Sequence, residues 1–146
     1  MKNPRKSAND VPNVTPGVKR AHKNAIKELR AEVYRRLGAI PERNQTIVAA
    51  IRERAVLKFT YNGEERLVEP QTYGLSIAGR EVLRGYQRAG GSHSGEANMA
   101  KLFDLRKMSN LKKTGERFAD ALPQHNPQDS AMIDVFETLP LPKPRR

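Results

Sequence analysis

The stretch AVLKFTYNGEERLVEP, residues 55–70, decides the reading of the fold. Leu57, Phe59 and Tyr61 alternate with Val56, Lys58 and Thr60, the two-residue period of a half-buried strand. Asn62-Gly63 follows, a pair that tolerates positive φ and is the strongest short hairpin signal. The partner strand then starts near Glu64, with Leu67 and Glu69 alternating with Arg66 and Val68. It runs to Pro70, which lacks a ladder donor and belongs at an edge or a bend. Further on, residues 72–77 read as another strand, Ala78-Gly79 as a turn and residues 80–88 as the next strand. AGGSHSGEAN, residues 89–98, reads as a long hairpin loop by its Gly and Ser content, and the chain returns over 101–108 and 111–114. Five short antiparallel strands are the expectation, and so small a sheet shields its edges best by curling into a barrel.

Upstream, Thr15 can cap and Pro16 can open a helix over residues 17–37, where Val18, Ala21, Ala25, Ile26, Leu29, Val33 and Leu37 approximate a helical stripe. Gly38 ends it. A second helix is expected over 41–54, with Ile47, Val48, Ala50 and Ile51 buried. Downstream, a Pro-containing linker leads to Ser130, the expected cap of a short helix placing Met132, Ile133, Phe136 and Leu139 on one side. The organisation is therefore a basic arm without packed structure over 1–16, N-terminal helices over 17–54 and a β-barrel over 55–118. A linker and helix follow over 119–139, and a Pro-rich basic tail over 140–146. The fold class expected is α+β.

The 146 residues suit one domain, and 27 Lys and Arg against 16 Asp and Glu give a formal charge of +11. Such a surplus favours phosphate-bearing partners. No cysteine is present, which removes disulfides, thiolate ligands and thiol catalysis and fits a reducing compartment. The N-terminus lacks the apolar core of a leader and no run is long enough to span a bilayer, so a cytoplasmic protein with no membrane partner is expected.

His22, His93 and His125 are far apart and show no metal-ligand spacing, so neither a metal nor another cofactor is expected. Ser92 and Ser94 flank His93 in a loop between strands, without the strand-to-helix elbow a nucleophilic serine needs. The glycines of that loop lead into no helix, so a phosphate loop lacks its field. An enzyme is not expected.

The stronger constellation is cationic. Lys58, Arg66, Arg84, Arg88, Lys101 and Arg106, with Lys107, fall on or beside the predicted strands, where they can offer donors to phosphate oxygens. Tyr73 and Tyr86 can add stacking platforms for bases. Lys19, Arg20, Lys23, Lys27, Arg30, Arg35 and Arg36 form a basic face on the first helix, either a phosphate grip or a solvated face. The sequence therefore points to a module that binds an anionic partner, nucleic acid or a nucleotide-like ligand, through a basic barrel face. The alternative is a protein-interaction or self-assembly module, with a homo-oligomer or protein partner and incidental charge.

Four blocks, AIRERAVLKFTYNGEERLVEPQTYGLS, GREVLRGYQRAGGSHSGE, KLFDLRKMSNL and FADALPQHNPQDSAM, resemble in order and spacing the WYL-domain proteins of bacteria, over roughly ninety residues. The resemblance implies an SH3/Sm-like five-stranded β-barrel serving as a ligand-sensing or nucleic-acid-binding module in transcription regulation. The signature Trp-Tyr-Leu triplet falls on Glu81-Val82-Leu83, and Asp104 stands where the family carries an arginine, with Arg106 two residues on. Arg66 and Lys101 match basic positions of the family.

Overall fold

The computed structural model describes residues 16–90 and 100–142. The arm over 1–15, most of the Gly-rich loop with His93, and the last four residues lie outside them. The elements are α1 (Pro16–Leu37), α2 (Gln45–Glu53), β1 (Ala55–Tyr61), β2 (Glu64–Leu75), β3 (Glu81–Gly90), β4 (Ala100–Asp104), a 3-10 turn (Leu105–Lys107), β5 (Met108–Arg117) and β6 (Asp134–Thr138).

The hairpin signal at Asn62-Gly63 is realised: both residues have positive φ, 53° and 78°, and Tyr61 pairs with Glu64 across the turn. The second helix starts later than expected, because the Asn44 side chain accepts from the Ile47 amide at 3.1 Å and caps it there. Residues before the cap are tied instead to the sheet, through the Asn44 amide on Tyr73 Oη at 2.9 Å and Arg43 over the Phe136 ring. Arg54 closes α2 in the left-handed conformation, and Ala55 enters β1 at once.

Pro70 does not end its strand. β2 runs twelve residues, pairing with β1 as far as Val68 and with a different strand from Thr72, so the missing donor falls where β2 changes neighbours. That second neighbour corrects the expected C-terminal helix: residues 134–138 form β6, antiparallel to β2, with Thr72 opposite Thr138 and Leu75 opposite Asp134. Met132, Phe136 and Leu139 fit a helical stripe, but the open edge of β2 offers backbone partners that a helix there would leave unused. Ile133 and Leu139 extend the pairing by donating to Leu75 O and Gln71 O. Gly74 lets β6 come close, since a Cβ there would collide with the Asp134 carbonyl oxygen.

The sheet is an open six-stranded antiparallel one, not the expected closed five-stranded barrel. Its main path is β4-β3-β2-β1-β5, and the edge strands β4 and β5 share no ladder. β4 stops after five residues because Asp104 accepts from the Arg106 amide and turns the chain into the 3-10 turn. The sheet nevertheless curls strongly, bringing the Phe103 ring of β4 within 5.2 Å of Phe59 and 5.0 Å of Tyr61 on β1. Its concave side holds the core: Leu57, Phe59, Val68, Tyr73, Leu75, Leu83 and Phe103, with Ile47, Ala50 and Ile51 of α2 and Phe136 and Leu139 from the β6 region. No described helix is long and apolar enough to cross a membrane.

Candidate nucleic-acid interface

The strand cations do not form an open phosphate-binding face. Lys58 pairs with Glu65 at 3.4 Å, and Arg84 forks onto Asp129 at 2.8 and 3.1 Å. Arg88 bridges Glu69 at 3.0 Å and Glu116 at 2.7 Å. Arg106 lies on the 3-10 turn, not on a strand, and folds back on Asp104 at 3.1 Å. Lys101 on β4 is not free either.

Arg66 is 6% exposed, stacks over the Tyr61 ring and donates to Tyr61 O and Gln87 Oε1, each at 3.1 Å, with Glu64 at 3.6 Å. It is an internal brace. Tyr73 is fully buried against Phe136, its hydroxyl donating to Glu81 and accepting from the Asn44 amide, so it is core and not a platform for bases. Burial and the Glu81 carboxylate push its phenol well above the ordinary range. Tyr86 is half-buried on β3.

These pairs follow from charge balance. Residues 38–142 contain 14 Lys and Arg against 13 Asp and Glu, so the body of the protein is close to neutral. The surplus sits in residues 1–37 and 143–146. Within the described structure that means α1, with seven Lys and Arg against two Glu.

Among the described residues, the bonds that anchor α1 lie in its last turns. Val33 is buried, the Tyr34 hydroxyl donates to Asp134, Arg30 Nε donates to Ile133 O at 3.2 Å, and Arg36 donates to Ile77 O at 2.8 Å. Burial, then the hydrogen bond to Asp134, raises the Tyr34 phenol to about 12. Gly38, at φ 77°, ends the helix and returns its amide to Tyr34 O. From Arg20 to Leu29 every residue except Ile26 is exposed.

On that solvated half, Arg20, Lys23 and Lys27 make no ion pair or hydrogen bond among the described residues. With Arg30 they lie within about 80° of arc at 3.6 residues per turn and span about 15 Å along the axis. That length matches about four phosphates of one strand of B-form DNA. Outside α1, Lys107 and Lys112 on the exposed turn and edge strand are likewise unengaged.

Arg20, Lys23 and Lys27 were legible as a basic helix face; the neutralisation of the strand cations was not, because Arg84 meets its partner 45 residues away and Arg88 meets Glu116 28 residues away. His125 is structural, its Nε2 2.8 Å from Leu139 O, and His22 is exposed on α1. Among the described residues no three His, Cys, Asp or Glu converge in a geometry suited to a metal. Compared with known proteins, the chain matches no family model, no curated protein and no solved structure.

Proposed function

We propose that the protein is a non-catalytic regulatory or accessory module that binds nucleic acid through the basic face of α1, with the sheet as its scaffold. The observation that carries this reading is the segregation of charge: a body close to neutral in which Lys58, Arg84, Arg88 and Arg106 are paired with its own carboxylates, and a helix whose solvated half carries Arg20, Lys23 and Lys27 without partners among the described residues. Each phosphate that such a helix neutralises releases condensed counterion, so binding is salt-sensitive and largely independent of sequence. The five-strand path with its 3-10 link supports treating the sheet as an SH3/Sm-like coil left unclosed, and the block order supports a distant kinship with WYL-domain proteins. A cytoplasmic location accords with a nucleic-acid partner and a chain without cysteine.

The test is fluorescence anisotropy with labelled single-stranded DNA, RNA and duplex DNA at two salt concentrations. K23E/K27E should weaken binding and lower the log–log salt slope by about 2. K58E/K101E, which alters only the sheet, should leave it unchanged. Binding that survives K23E/K27E and vanishes in K58E/K101E would return the site to the sheet.

A second reading is favoured by one observation. The apolar stripe of α1 is covered at Val33 but exposed at Ala21, Ala25 and Leu29, the last 45% exposed, as in a helix that pairs with a partner protein or with another copy. It predicts a concentration-dependent oligomer that L29E abolishes while anisotropy is unaffected.

A further inference from the structure

A hollow of about 240 Å³ opens between β3 and the 122–130 segment, lined among others by Gln71, Arg84, Leu122, His125, Asp129 and Ser130. Its wall is prearranged. Asp129 Oδ2 accepts from Arg84 Nε at 2.8 Å, and its Oδ1 from Arg84 Nη2 at 3.1 Å and from the Ala131 amide at 2.9 Å. These bonds fix the guanidinium by one edge. Nη1 on the other side has no partner among the described residues.

Arg88, four residues along the same strand, shows what the vacant side can take. Its Nε and Nη2 hold Glu69, as those of Arg84 hold Asp129, and its Nη1 holds a second carboxylate, that of Glu116, at 2.7 Å. Arg84 is the same device with the second carboxylate missing, beside a hollow.

The rest of the lining narrows the class of molecule. Ser130 has a hydroxyl with no partner among the described residues, and Asn126 uses its Oδ1 on the Gln128 amide, leaving its NH₂ as donor. Leu139 O can only accept, so His125 Nε2 carries a proton. Arg84 and Asp129 cancel in charge, so one added negative charge is accommodated and a doubly charged phosphate meets the Asp129 carboxylate unfavourably. At about 30 Å³ per water, the volume holds roughly eight waters, enough for a molecule of about ten heavy atoms.

We propose that this hollow binds a small organic monocarboxylate, its carboxylate on the Nη1 side of Arg84 and its remaining polar groups toward Ser130 and Asn126. The site is separate from the basic face of α1 and does not depend on nucleic-acid binding.

The experiment is a titration of the ¹⁵N-labelled full chain, read by amide chemical shifts, with acetate, lactate and benzoate, and with inorganic phosphate and uracil as the competing classes. Saturable shifts with at least one carboxylate, confined to Gln71, Arg84, Ala100, their strand neighbours and residues 122–131, are expected. R84K keeps the charge but replaces the fork on Asp129 by a single donor and loses the second donor edge, so it should weaken binding at least tenfold while the spectrum away from residues 84 and 122–131 is unchanged. N126A/S130A, altered only at exposed positions, provides a second variant and should weaken carboxylates bearing a hydroxyl more than acetate. The proposal falls if no carboxylate gives saturable shifts, if phosphate or uracil binds as well as the carboxylates, or if both variants bind like the parent.

Discussion

Replacing Gly74 by alanine adds one methyl group at a close approach of β2 and β6. The new Cβ would overlap the Asp134 carbonyl oxygen and lie 2.8 Å from Met132 Sδ and 3.1 Å from Val135 Cα. The sulfur can swing aside, but the backbone oxygen and Cα belong to the strand itself, so β6 must shift or detach. Forced shifts of packed backbone cost about 1–3 kcal/mol. Detachment exposes Phe136 and Leu139, both buried, at about 1.5–3 kcal/mol each. G74A is therefore expected to lose about 3–5 kcal/mol, a large share of the roughly 5–15 kcal/mol that holds a domain together. With a urea slope of about 2 kcal/mol/M, the unfolding midpoint followed by circular dichroism falls by about 2 M. G115A is the matched control: it makes the same chemical change on β5 with nothing within 4 Å of the new Cβ, and it should move stability by less than about 1 kcal/mol. Equal midpoints for G74A and G115A would refute the account of β6 as a strand seated tightly on β2.

Other expectations follow from the ion pairs and from the helix anchor. Burial pushes the Asp129 carboxyl up, but the Arg84 guanidinium and the Ala131 amide outweigh it and hold the group below its ordinary value. A lowered folded-state value stabilises the fold above the unfolded-state value, near 3.8, and that contribution is lost as pH falls through the folded-state one. Urea midpoints should thus decline below about pH 4, and D129N, costing about 2–3 kcal/mol at pH 7 because Arg84 is partly exposed, should flatten that decline. Y34F removes the bond to Asp134 and should cost about 1 kcal/mol. Hydrogen exchange should quicken in the last turns of α1 and stay unchanged in β2 and β3. The raised Tyr34 phenol stabilises the fold below pH 10, with the contribution lost between 10 and 12, and ultraviolet titration should show one tyrosinate step near 12 that Y34F removes. R66E, which places a carboxylate in a buried site beside Glu64, should unfold the protein in a thermal melt, whereas K58E should shift the melt by no more than a few degrees.

The local features of the fold were legible because they are written in neighbouring residues. The alternation over 55–61, the Asn62-Gly63 turn and the Gly38 stop each depend on the geometry of a few adjacent positions. Three features failed for one reason, the choice of a distant partner. Phe136 and Leu139, three residues apart, satisfy a helical period and not a strand's, and only the free edge of β2, more than sixty residues earlier, decides for the strand. Pro70 reads as a terminator until it is known that β2 changes neighbours there. Arg84 and Arg88 look like a binding face because residue type gives charge but not the distant carboxylate that consumes it, Asp129 in the one case and Glu69 and Glu116 in the other. The basic helix was the part of the candidate site open to reading. Its cations recur with the helical period, and its Glu28 and Glu32 are too few to neutralise them.

The seating of β6 also bears on how copies of the chain can associate. β6 completes the edge of β2 but joins the rest of the sheet only through residues 118–133, which form no strand or helix. The slot beside Thr72 to Leu75 makes no distinction between its own strand and the same strand of a second molecule, because every contact that holds β6 is identical in the two cases. Reciprocal exchange of the C-terminal strand therefore needs no surface that the monomer lacks, only an opened linker and enough protein. Any dimer formed this way would keep the β2–β6 register and the Tyr73–Phe136 contact intact, and would differ from the monomer only in which chain supplies them.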